Sequence, residues 1–229
     1  PTLAVKFEGH IEGLGLDADG HTIRIDNEKA KLVSSITDNI WNIHEQNMFL
    51  ASNKSITLLV EGQTDKIHIK AAYKALRADY PNLDFDIFHF GGANNIPQFM
   101  IGLKTCEVDF NGRKIIAIFD NDEEGRNCCN KTRVKYSNDK KNEHGLYAIT
   151  LSPSNGDATI ENLYEESKYY EAFKNVVERK DFKGLVSKYA EDITKDAKIE
   201  LSEMIKEFAS SDFNGFKSLF DLIQEIQQL

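Results

Sequence analysis

Residues Ile56–Leu76 read ITLLVEGQTDKIHIKAAYKAL, and the first half of this stretch decides the fold. Five consecutive apolar or β-branched residues, ITLLV, suit a strand buried on both faces. They stop at Glu61-Gly62, and an Asp stands four positions after the Glu. The residues after this turn have helical spacing. A strand running directly into a helix through a Gly-containing turn is the opening unit of an α/β domain with a parallel sheet. Gly for the bend and Asp for a helix cap would by themselves explain the turn. The Glu is what they leave unexplained.

The rest of the middle of the chain repeats the alternation. DFDIFHF (84–90), KIIAIF (114–119) and LYAITL (146–151) read as further strands, and helices are expected at about Asp65–Asp79, Ile96–Cys106 and Glu123–Lys131. In open α/β sheets the functional crevice lies outside the carboxyl ends of the strands. The residues there are Glu61 and Gly62, then Gly91 and Gly92, then Asp120 and Asp122. His89, inside an apolar run, reads as a core histidine.

The strand at 114–119 runs on into acids, as IIAIFDNDEEGR. Alternate side chains of extended backbone point the same way, so Asp120 and Asp122 can face one cation. Two acids crowded at the end of a buried strand are unfavourable without a compensating positive charge. Mg²⁺ suits such a pair because it takes oxygen ligands and combines a few carboxylates with substrate phosphates. Glu123 and Glu124 are explained without metal, as acids favoured by the dipole at a helix N-terminus. A calcium EF-hand lacks its further ligands here. A phosphatase of the haloacid dehalogenase type also uses D-x-D, but after the first core strand, whereas this one comes after an earlier strand ending in Glu-Gly.

Taken together, LLVEGQTD and the later FDNDEEG resemble the Toprim domain, the metal-dependent module of topoisomerases, primases and several nucleases. The resemblance covers roughly Lys54–Tyr164. Within that group the chain is most like the nucleases of the OLD (overcoming lysogenization defect) family, which include phage-defence enzymes. Asp65 completes that family's E-G-x-x-D pattern, HFGGANNI matches its Gly turn, and ATIENLY matches its last acidic motif at Glu161. The resemblance implies a Toprim-like, Rossmann-type, mostly parallel sheet flanked by helices. It also implies a nuclease that hydrolyses DNA phosphodiester bonds with two Mg²⁺ or Mn²⁺ ions held by Glu61, Asp65, Asp120, Asp122 and Glu161, with Glu61 nearest the acid/base step. One feature departs from the family. Its functional Lys between the D-x-D and the final Glu is missing from SPSNGDATIE.

Gly91 and Gly92 permit backbone closed to other residues and the close approach of a phosphate. Pro97 is placed to open the helix after them. Lys131, Arg133, Lys135, Lys140 and Lys141 lie in a polar stretch read as a flexible loop, where they either contact DNA backbone or are simply solvated.

Outside residues 54–164, two regions are expected. Residues 1–53 form an extension with a hairpin or neighbouring strands, LAVKFEG and HTIRID around DADG. A helix then carries Leu32, Val33, Ile36, Ile40, Ile43 and Leu50 as an apolar stripe, with Trp41 and Met48 in its packing. Residues 165–229 read as amphipathic helices broken near Gly184 and Gly215, covering the sheet or a partner.

Composition limits the function. Of 229 residues, 41% are hydrophobic and 28% charged, as in ordinary globular chains, and there is no apolar run long enough for a membrane. The opening PTLAVKFEGH lacks the pattern of a signal peptide. Pro1 is compatible with a removed Met or a fragment boundary. Cys106, Cys128 and Cys129 have no C-x-x-C spacing, so a reducing cytoplasm is the simplest setting. The formal charge of −9 excludes a protein that coats polyanions everywhere, so DNA binding would need a basic patch, bridging metal or a basic partner. OLD-type Toprim modules work with an ABC-type ATPase, and this sequence has no G-x-x-x-x-G-K-[ST] loop of its own. An ATPase partner or a homo-oligomer is therefore expected. The alternative function is a noncatalytic Toprim module for nucleic-acid binding or assembly, or another Toprim enzyme of primase or topoisomerase type.

Overall fold

The computed structural model describes residues 14–16, 22–24, 49, 51–106, 110–137, 142–151, 158–179 and 195–229. The chain divides into two compact units, 1–51 and 52–229. In the first, β1 (Leu14–Leu16) pairs antiparallel with β2 (Thr22–Arg24). HTIRID thus supplies a strand as expected, but its partner is Leu14–Leu16. LAVKFEG and the Leu32–Leu50 stripe with Trp41 and Met48 lie outside the described residues, apart from Phe49, which is buried.

The second unit is built on four parallel strands: β3 (Ile56–Val60), β4 (Phe85–His89), β5 (Lys114–Phe119) and β6 (Leu146–Thr150), in the order β4-β3-β5-β6. Every residue of β3 is buried, as a central strand covered on both faces requires. Ile56, Leu58 and Val60 join the apolar core cluster on one face. The helices come after their strands: α1 (Gln63–Ala75), α2 (Asn95–Thr105) and α3 (Glu123–Lys131). α1 stops short of the expected Asp79. Leu76 and Tyr80 turn into the core, and Pro81 disfavours helical backbone just before it. Pro97 sits in the first turn of α2, where its missing N–H costs nothing. His89 is half-buried at a strand end rather than a core residue.

The polar stretch after α3 differs from a free loop. Tyr136 N–H donates to the Ala148 carbonyl at 2.8 Å and Ala148 N–H to that of Val134 at 3.0 Å, so this segment pairs along β6.

Beyond residue 160 the described chain is helical, with a 3₁₀ turn at Ile160–Leu163, then α4 (Glu166–Arg179), α5 (Lys195–Met204), short turns at Ile205–Glu207 and Ser210–Phe213, and α6 (Phe216–Gln228). Gly184 lies outside the described residues. Gly215 does mark a break, and for a steric reason: a Cβ there would stand 2.4 Å from the Leu163 carbonyl oxygen. α6 buries Phe216, Leu219, Phe220, Ile223 and Ile226, the i, i+3, i+4, i+7 stripe of a core-facing helix. Phe220 stacks near Phe85 of β4 and packs edge-on to Tyr73 and Tyr80. Tyr80 donates its hydroxyl to Asp221 at 2.8 Å, and Lys217 pairs with Asp79 at 2.7 Å.

α6 therefore belongs to the core of the sheet unit. Phe220→Ala should cost about 3–5 kcal/mol, the usual range for truncating a fully buried Phe. Urea unfolding monitored by circular dichroism should show a lower midpoint with an unchanged slope. A cost within a few tenths of a kcal/mol would mean that α6 is only loosely attached.

Candidate active site

The strand order places the site. From β3 the chain crosses to β4 on one side and then to β5 on the other, so the direction of winding reverses between β3 and β5. Crevices open at such switch points. Leu59 pairs with Ala117, and just beyond the two strands Glu61 and Asp120 meet. The backbone N–H of Asp120 donates to Glu61 Oε1 at 3.3 Å.

Local capping holds two more acids. Asp65 lies in the first turn of α1, where its Oδ2 accepts the Gly62 N–H at 2.7 Å. Asp122 is the N-cap of α3, its Oδ1 accepting the Gly125 N–H at 2.6 Å. Glu123 and Glu124 stand in that helix's first turn, as expected of acids near a helix N-terminus. Glu161 arrives from far along the chain. Asn121 N–H donates to the Ala158 carbonyl at 2.7 Å and Ala158 N–H donates to the Asn121 carbonyl at 3.2 Å, so the Glu161 segment is pinned to the middle of the D-x-D.

All five acids share one electrostatic environment. Burial pushes the Asp120 carboxyl up to about 8, and the charges of Asp65, Glu61, Glu161 and Asp122 add to the shift. Burial likewise raises Glu61 to about 7; the Asp120 N–H opposes this, while Asp65, Asp122 and Glu124 reinforce it. Among the described residues no three His, Cys, Asp or Glu are placed to hold a single ion. The donors nevertheless fit a hard divalent cation in kind. They are all carboxylate oxygens, and Mg²⁺ commonly uses one or two carboxylates with water and phosphate oxygens completing its shell.

The Gly turn borders the crevice. Gly92 N–H donates to the Glu61 carbonyl at 2.9 Å, and Gly91 and Gly92 have φ of 67° and 140°. Nothing lies within 4 Å of a Cβ built on either, so backbone conformation and not crowding calls for glycine there. Asn94, just after this turn, donates to Glu124 at 2.7 Å and accepts from the Cys128 thiol at 3.4 Å, tying the start of α2 to α3.

Gly125 was not singled out by sequence reasoning, yet a Cβ at that position would stand 2.1 Å from the Asp120 carbonyl oxygen. Only glycine lets α3 begin so close to the strand end. The available signal was a glycine in a helix's first turn, where it costs about 1 kcal/mol relative to Ala and so calls for a reason. His68 was also missed. It is buried in α1, with Nδ1 2.8 Å from the hydroxyl of Tyr164, three residues past Glu161.

The basic residues are placed differently from the acids. Lys131 is exposed in the last turn of α3, about 13 Å along the helix axis from Asp122 at about 1.5 Å per residue. Arg133 and Lys135 are exposed beyond it, and Lys140 and Lys141 lie outside the described residues.

The raised carboxyls make stability depend on pH. Folded Glu61 and Asp120 hold protons that the unfolded chain, with ordinary values near 4, releases, so their contribution is greatest below about pH 4 and declines as pH rises through 7 and 8. Asp120→Asn removes part of that decline. It should raise the urea midpoint at pH 8.5 and leave it nearly unchanged at pH 4. An equal difference at both values would show that Asp120 is not held protonated.

Residues 55–122 match the family model for the overcoming lysogenization defect protein-like TOPRIM domain. No curated protein matches the sequence. Among solved structures the chain is similar to the C-terminal region of the Burkholderia pseudomallei OLD protein, with 13% identity and a TM-score of 0.46 over 77% of this chain and 98% of that one. It is also similar to the C-terminal region of the Xanthomonas campestris pv. campestris OLD protein, with 14% identity and a TM-score of 0.38 over 76% and 92%. The parallel sheet, its acids at the switch point and the matched motifs make residues 55–122 an OLD-like Toprim domain.

Proposed function

We propose that this chain is a metal-dependent nuclease that hydrolyses DNA phosphodiester bonds. The observation that carries the proposal is the meeting of Glu61 and Asp120 at the switch point, where burial, reinforced by the charges of neighbouring carboxylates, drives both toward protonation. In this proposal residues 54–164 are the catalytic domain and 165–229 its helical cover. The five acids would hold two Mg²⁺ or Mn²⁺ ions. When bound, such ions supply Lewis acidity for the attacking water and the leaving oxygen.

The chain's own residues do the rest. Glu61 and Asp120, directly after adjacent strands, are fixed relative to each other by the sheet, so the donors are oriented before substrate arrives. Glu61 is the residue proposed to move the proton, since a carboxyl near 7 is matched to acid/base work at neutral pH. Gly91 and Gly92 leave open backbone beside Glu61 where a phosphate would approach. An ABC-type ATPase is the proposed partner because the sequence has no phosphate loop, and phage defence is the proposed setting. Among the described residues no helix is long and apolar enough to cross a membrane, and the proposed location is the cytoplasm.

A second reading, a noncatalytic Toprim module, is favoured by the absence among the described residues of three acids already gathered for one ion. Activity decides between the two. Supercoiled, linear and single-stranded DNA and RNA should be incubated with Mg²⁺, Mn²⁺ or chelator. Cleavage of DNA should require the metal, and Glu61→Gln should lower it about 10²–10⁴-fold, the range for loss of an acid/base group. Full cleavage by a folded Asp120→Asn, Asp122→Asn double variant would overturn the mechanism, and no cleavage by the parent chain with either metal would favour the binding module.

A further inference from the structure

An acidic chain that takes DNA at a cluster of carboxylates needs cations elsewhere along the strand's path. We propose that the groove between α1 and residues 206–213 carries the sugar–phosphate backbone of the nucleic acid away from the acidic centre. This rests on the nucleic-acid reading above. The groove encloses about 440 Å³, and its charged lining consists of Lys70, Lys74 and Lys206, with no carboxylate among the lining residues. That is a local reversal of sign in a chain of net charge −9.

Lys70 and Lys74 are exposed and have no acidic partner among the described residues; Lys206 pairs with Glu203. Spaced i, i+4, the first two stand about 6 Å apart along one helix face, of the order of the separation of successive phosphates on a strand. Ala71 and Phe208 supply an apolar floor suited to sugar and base faces. A purely ionic ligand would gain nothing from such a floor. Ser210 Oγ donates to the Ala75 carbonyl at 3.0 Å, fixing the two walls to each other.

Both walls continue into elements of the proposed site. α1 begins at the turn that holds Asp65, and the groove opens two residues further on, at Ile67. On the other wall, Phe208 and Phe213 pack against Tyr164, which stands one turn of chain past Glu161. A strand leaving the five acids along α1 thus meets a lysine-lined channel. Charge and apolar floor alone would also suit an acidic peptide. Continuity with the carboxylate centre favours nucleic acid.

The test measures binding without cleavage. Fluorescence anisotropy of labelled single-stranded and duplex DNA with the full chain, in chelator, is recorded across a salt series. Each lost phosphate contact removes about 0.7–0.9 from the slope of log affinity against log salt. Lys70→Ala, Lys74→Ala should therefore flatten it by about 1.4–1.8 for the two contacts, with unchanged circular dichroism. Adding Lys206→Ala should flatten it further, and Arg133→Ala, Lys135→Ala should leave it unchanged. A slope unmoved by the groove variants, or moved only by the Arg133 and Lys135 variant, would overturn the proposal, as would lysine-dependent binding of polyglutamate with no lysine-dependent binding of DNA. The two proposals fail separately. A flattened slope with no cleavage by the parent chain upholds the groove and removes the nuclease; metal-dependent cleavage with an unmoved slope does the reverse.

Discussion

The parallel pairing of β3 with β5 is the constraint on which the rest depends. Because these strands are neighbours in the sheet though far apart in the chain, Glu61 and Asp120 are forced into one crevice, where a backbone N–H bridges them. The apolar burial that stabilises both strands is not negotiable for the carboxylates at their ends. Sheet packing thus holds the acids buried and close together, and burial first, then their mutual repulsion, raises the two carboxyls to about 7 and 8. A site so charged favours whatever brings positive charge to it, whether proton or cation.

The surrounding structure serves that arrangement through short-range devices. Asp65 and Asp122 each bond a backbone N–H at the start of the helix after their strand, which fixes the carboxylates and begins the helices in the same stroke. The helical C-terminal region acts from behind. Tyr164 is gripped by rings of Tyr169, Phe208, Phe213 and Phe216, and Gly215 lets α6 start against the carbonyl of Leu163. The position of Glu161 is thereby tied to elements well outside the acidic centre.

Much of this was legible in the sequence, for identifiable reasons. Buried parallel strands are continuous apolar runs, so ITLLV and KIIAIF announce themselves, and acids directly after such runs stand out because burial makes them expensive. Strand order was not legible, since nothing local to KIIAIF says that it lies beside ITLLV and not beside LYAITL alone. The Asn121–Ala158 bridge was equally hidden, being made entirely of backbone groups. The lysine-lined groove joins positions 70 and 74 to 206, a proximity that only the packing of α1 against the C-terminal turns creates. Leu14–Leu16, the partner of β2, was not legible as a strand because it is too short to show a period.

That same backbone bridge has a topological consequence. Residues 121 and 158 are held together, so the chain between them leaves the site and returns to it as a closed excursion. Lengthening such an excursion adds closure entropy only logarithmically, about 0.6 kcal/mol for each doubling. The connections on either side of β6 are therefore free to lengthen while the spacing of the D-x-D and the final Glu in three dimensions is not. A relative with a longer insertion between α3 and β6, or between β6 and the final Glu, would keep the same geometry of acids, and motif distance along the chain would be a poor guide to whether the centre is intact.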